Sequence, residues 1–147
     1  MPSTLRGGRV VSGGALVRVL CIALVLPWLT GCLLISGGQQ STDRVIDAGN
    51  VTVQFVSAEG TETRQVQAAD GASDLDVTVY ARAERGQLRI EVLDPQNSVR
   101  LVVEGTPEER VSRTTVQTDA EGMLRFRIIA TGAQRGGFQL LYQPAGT

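Results

Sequence analysis

The groups that could do chemistry in this 147-residue chain are few in kind: 15 acidic side chains, 14 basic ones that are all Arg, no His, and two Cys at positions 21 and 32. Beyond residue 32 there is no imidazole, amine or thiol. That excludes Ser-His-Asp, Cys-His and Ser-Lys nucleophilic systems, Schiff-base chemistry and ordinary zinc sites from this part of the chain. Walker-type and dinucleotide glycine motifs are absent as well. Paired carboxylates remain, and glycoside hydrolysis needs only two acids about 5–10 Å apart. Fifteen acids offer such pairs without singling one out. The expectation is a protein that is not an enzyme, with a small carboxylate-dependent hydrolase as the residual catalytic alternative.

Two clusters suggest binding. In Asp70-Gly71-Ala72-Ser73-Asp74-Leu75-Asp76 the carboxylates of Asp70, Asp74 and Asp76 recur at spacings that could offer oxygen ligands to Ca²⁺. The closing Glu of a twelve-residue calcium loop is missing, and Asp-Gly initiates a turn on its own account. The expectation is therefore no metal and no cofactor. Arg89, Arg125 and Arg127 fall on outward positions of predicted strands, with Arg135 in a loop, as a surface that could grip anionic groups. Glu91 and other acids are at hand to neutralise them. Tyr80 is expected opposite Arg89 as a cross-strand cation–π pair, with a ligand platform as the second option. A net charge of −1 excludes nucleic acid as a partner, since that needs a basic footprint.

These residues need an address and a scaffold. Residues 1–18 carry Arg6, Arg9 and Arg18 and no acid, and Val19 to Leu29 is an uncharged run of eleven. A basic segment followed by 7–15 apolar residues is a secretory pattern, because a spanning helix needs about 20. Leu29-Thr30-Gly31-Cys32 then resembles the lipobox of bacterial lipoproteins. The resemblance implies a diacylglyceryl group on the Cys32 thiol and cleavage before it, so the domain boundaries expected are a signal peptide over 1–31, a lipidated Cys and flexible tether over 32–49, and a folded body over 50–147. It also implies export and anchoring to the outer face of the cytoplasmic membrane. Leu33, where an Asp retains such proteins on the inner membrane, permits sorting to an outer membrane where one exists. The partners expected are membrane lipid through Cys32 and an envelope protein or polysaccharide.

Beyond the tether, Ser36–Asp43, the chain reads as β. Val, Thr, Leu and Ile alternate with polar residues, and turn residues recur every 8–12 positions. Strands are predicted near Asn50–Ser57, Glu62–Gln67, Asp74–Arg82, Gln87–Leu93, Val99–Glu104, Arg110–Thr118, Gly122–Thr131 and Gly137–Gln143, with Arg110–Thr118 at an edge. Two hairpins satisfy the alternation. One pairs Val79 with Ile90 across residues 83–86, and the other pairs Ile128 with Leu140 across residues 132–136. No apolar pattern of helical period persists for three turns. Seven or eight strands in this length predict an all-β fold, a two-sheet antiparallel β-sandwich. The expected core holds Val53, Phe55, Leu75, Val77, Val79, Leu88, Ile90, Val92, Leu101, Leu124, Phe126, Ile128, Phe138 and Leu140. Leu88–Pro95 and Gly137–Tyr142 resemble small secreted bacterial β-sandwich modules, the pre-peptidase C-terminal type among them, which implies shape alone. The function expected is a non-catalytic envelope role, accessory, adhesive or scaffolding, with a Ca²⁺- or glycan-binding module as the alternative.

Overall fold

The computed structural model describes residues 32–45 and 48–146. The residues 1–31 of the expected signal peptide, including Leu29, Thr30 and Gly31, lie outside them. The described residues form seven antiparallel strands and no helix: β1 Leu34–Ser36, β2 Gln39–Val45, β3 Ala48–Gln67, β4 Asp74–Leu93, β5 Val99–Gly105, β6 Arg110–Gln117 and β7 Met123–Pro144. The fold is all-β, as alternation alone predicts.

Three of these strands, β3, β4 and β7, are 20, 20 and 22 residues long, far above the usual five or six. Each has an irregularity near its middle. Pairing of β3 with β7 shifts register between Ala58 and Gly60, and pairing of β4 with β7 shifts between Arg85 and Gln87. Gly60, Gly86 and Gly132 take φ of 109°, 73° and 56° at these points, backbone that side chains with a Cβ adopt at a cost. A Cβ on Gly86 would run into the carbonyl of Gly132, so two strands cross there in backbone contact. The sheet folds over on itself along this line. One layer holds β2, β6, residues 49–58 of β3, 75–85 of β4 and 133–144 of β7. The other holds β5 with residues 60–67, 87–93 and 123–131 of the same long strands.

The two layers share one core. Val51, Val53, Phe55, Leu75, Val77, Val79, Phe138, Leu140 and Tyr142 from the first layer pack with Leu88, Ile90, Val92, Leu124, Phe126 and Ile128 from the second. Phe126 and Phe138 meet edge to face across the interior with ring centroids 6.0 Å apart. Leu101, expected in the core, is only partly buried at the β5 edge. On the open side, Arg64 of β3 bonds Glu62 at 2.8 Å and Gln40 of β2 at 2.9 Å, which ties the edges of the two layers together.

Three expectations are corrected. Neither hairpin exists: Val79 pairs with Ser112 and Leu140, Ile90 with Val103 and Ile128, and residues 83–86 and 132–136 are bends within continuous strands. The side on which each residue falls is as expected, but its neighbour is another strand. Residues 50–57 and 62–67 are likewise one strand, not two. Finally, the stretch read as a tether is strand: β1 pairs Leu34 with Glu59, and β2 pairs along Gln39–Val45 with β3. Its polar composition suits an edge strand whose residues are all exposed.

Candidate functional site

The outward face of the first layer is built of rows of polar side chains. Antiparallel register aligns Ser41, Thr52, Gln139, Tyr80 and Val111 across five strands. The next row runs Gln39, Gln54, Gly137 and Arg82. Because Gly137 stands between Gln54 and Arg82, this row has no side chain at its centre. A Cβ there would strike the carbonyl of Val53, and one on Gly136 that of Arg82, so both positions require glycine. The result is a groove of about 570 Å³ walled by Tyr80, Arg82, Gln54, Gln139, Thr52 and Gln39, with Val56, Glu109 and Arg135 at its rim.

The groove's polar groups are positioned by the sheet. Arg82 donates from Nε to the Pro107 carbonyl at 3.0 Å and contacts Glu84 at 3.4 Å, which holds its guanidinium at the wall. Tyr80 is half-buried on its strand, with Gln139 and Val111 beside it. Amides, a hydroxyl and a guanidinium offer donors and acceptors together, and the phenol ring offers an apolar face. Glu109 is the one carboxylate lining the groove. The pair of acids that glycoside hydrolysis requires is not assembled there.

The other sequence-derived candidates fall elsewhere. Tyr80 and Arg89 do not meet: Arg89 lies in the second layer between Glu104 and Ile129. The register that would have paired them belongs to the absent hairpin. Arg89, Arg125 and Arg127 do share the outward face of the second layer, but each is held by an acid. Glu91, 4% exposed, accepts from Arg89 at 2.9 Å and from Arg127 at 3.0 Å. Arg125 binds Asp119 at 3.0 Å. Asp119 also accepts the Met123 N–H at 2.8 Å and the Glu121 N–H at 3.2 Å; these bonds, that from Met123 foremost, hold its carboxyl below the usual range.

Asp70, Asp74 and Asp76 are not brought together. Asp70 pairs with Arg44 at 3.4 Å, Asp74 is exposed on β4, and Asp76 accepts from Thr115 at 2.8 Å and from Arg113. The Thr115 and Arg113 bonds lower the Asp76 carboxyl below its ordinary value. Among the described residues no group of three or more His, Cys, Asp or Glu is placed to hold a metal ion. The loop between β3 and β4 is instead organised by buried Thr118, whose hydroxyl accepts the Ser73 N–H at 2.9 Å and donates toward the Gly71 carbonyl at 3.1 Å. Cys32 is exposed, with its carbonyl against Gly60 of β3.

No family model matches this sequence, and no curated protein does. Among solved structures it is similar to carbohydrate-binding β-sandwich modules. One is the CBM6cm-2 module of Cellvibrio mixtus lichenase 5A, in complex with cellotriose, at 14% identity over 80% of this chain and 99% of that one, TM-score 0.40. Another is the CBM22-1 xylan-binding domain of Paenibacillus barcinonensis Xyn10C, at 6% identity over 78% and 86%, TM-score 0.40. A CBM4 structure gives 11% identity over 75% and 79%, TM-score 0.36.

Proposed function

We propose that this protein is an exported lipoprotein, anchored through acylated Cys32, whose β-sandwich binds a polysaccharide of the cell envelope in the groove over Gly137 without catalysing a reaction. The observation that carries the binding reading is that groove. A glycine-floored notch crosses a sheet face, with Tyr80 on one side and Gln54, Gln139 and Arg82 around it. Sugar rings present hydroxyls that both donate and accept, and C–H faces that stack on aromatic rings. A wall of amides, a guanidinium and a phenol matches both. The lipid anchor is supported by the lipobox resemblance at Leu29-Thr30-Gly31-Cys32.

Affinity electrophoresis of the purified protein through gels containing neutral and acidic envelope polysaccharides tests the binding. At least one polymer is expected to retard migration, and Gln139→Ala to relieve that retardation. Migration unaffected by every polymer would overturn the reading. Acyl labelling of wild type against Cys32→Ala tests the anchor; a label that persists in the variant would exclude it.

A further inference from the structure

Cys32 lies against the sandwich itself, with no free length of chain between. Its carbonyl occupies the space that a Cβ on Gly60 would need, at the β3 bulge. Two residues on, Leu34 is paired with Glu59, and the neighbouring Leu33 and Ile35 pack on the core. An anchor on the Cys32 sulfur therefore holds one particular end of the molecule. At that end β4 bends at Gly86 and β7 at Gly132. Two of the exposed large apolar side chains are there, Leu34 at 70% exposure and Val56 at 59%. Val56 packs against Gly37, in the turn that follows β1.

On the reading that Cys32 is acylated, we propose that the bent end of the sandwich is a lipid-facing surface. Leu34 and Val56 enter the bilayer interface, and the exposed Arg85 and Arg135 face lipid phosphates. Glu59 and Glu84 are already engaged, Glu59 by the Gly132 N–H at 2.5 Å and Glu84 by Arg82 and Arg135 at 3.4 and 3.7 Å. The exposed Glu108 and Glu109 also lie at this end, in the loop between β5 and β6, at the opposite edge of the sheet from β1. An acyl anchor buries its methylenes in the bilayer, and apolar side chains beside it share the same interface. From Gly132 to Met123, at the far end of β7, nine residues of strand span about 30 Å. The loops holding Asp94 and Asp119 therefore point away from the membrane, and the groove, whose rim includes Val56 and Arg135, opens close to it.

The test uses the full chain, purified from membranes and placed in vesicles of phosphatidylethanolamine and phosphatidylglycerol that carry a headgroup quencher. Fluorophores are attached at Gln134→Cys near the bend and at Ala120→Cys in the opposite loop, with Gln87→Cys on β4 and Gln96→Cys in the loop that follows it as a second pair. Quenching at Gln134 and Gln87 is expected to exceed that at Ala120 and Gln96 at least threefold. Equal quenching, or the reverse order, in protein whose N-terminal peptide carries the diacylglyceryl mass overturns the orientation and leaves the anchor standing. An unmodified Cys32 overturns both.

Discussion

Tyr142 is 2% exposed and its hydroxyl has no hydrogen-bond partner among the described residues. Its ring fills the space above Gly49, where a Cβ would collide with it. An unsatisfied buried hydroxyl costs stability, so Tyr142→Phe is expected to be neutral or to stabilise by about 1 kcal/mol. Gly49→Ala should cost about 1–3 kcal/mol by overpacking, both read by thermal melting. Burial also pushes the phenol above its ordinary pKa, with Arg44 opposing in part. In the unfolded chain it ionises near 10, while the folded state retains the proton to higher pH. Between the two values the folded state binds more protons, so stability falls as pH rises through this window. The wild-type Tm should decline more steeply above about pH 10 than that of Tyr142→Phe. Asp119 has the opposite sign. Its folded pKa lies below the unfolded value, so its contribution is present at neutral pH and is lost as pH falls through the lowered value. Asp119→Ala should lower Tm by several degrees at neutral pH, with the gap to wild type narrowing below about pH 4. Neither residue stands out in the sequence. Asp119 sits in an ordinary Thr-Asp-Ala-Glu-Gly turn, and which Arg it meets depends on a strand register that local pattern does not specify.

The elements show how far alternation reaches. The apolar core positions on β4 are odd-numbered from Leu75 to Ala83 and even-numbered from Leu88 to Val92. A change of parity has two solutions: the chain turns back through an even loop, or it continues through a bulge. Both bury the same side chains, which is why the core was legible from pattern while the hairpins were not. What decides is the third strand, since β7 pairs both halves of β3 and both halves of β4 and so requires all three to run on and bend together. The polar stretch from residue 36 to 43 was illegible for another reason: an edge strand exposed on both faces has the composition of a linker. If the bend is fixed by backbone contact at Gly86, Gly86→Ala must bear both a strained φ and a clash with the Gly132 carbonyl. Gly132→Ala bears the φ alone, with nothing within 4 Å of the new methyl. The second should cost about 1 kcal/mol and the first about 2 kcal/mol or more in denaturant melts; equal losses would contradict the contact.

For the whole molecule, folding one long sheet over on itself sorts the polar residues onto two outer faces of different character. On the second layer Arg and acid neutralise each other around Glu91 and Asp119. On the first, Gly137 opens a groove among amides beside Tyr80 and Arg82. Tyr80 was visible in the sequence as an outward aromatic, but Gln54, Gln139 and Arg82 were not. They converge only when β3, β7 and β4 lie side by side, and Gly136-Gly137 looks locally like the end of a loop. On the proposed reading this groove holds an envelope polysaccharide while Cys32 holds the membrane. Titration calorimetry of the polymer that retards the protein most, against wild type, Tyr80→Ala and Arg89→Ala, measures this directly. A loss of about tenfold, or 1.4 kcal/mol, for Tyr80→Ala with Arg89→Ala unchanged is the predicted result; full affinity in Tyr80→Ala would contradict it.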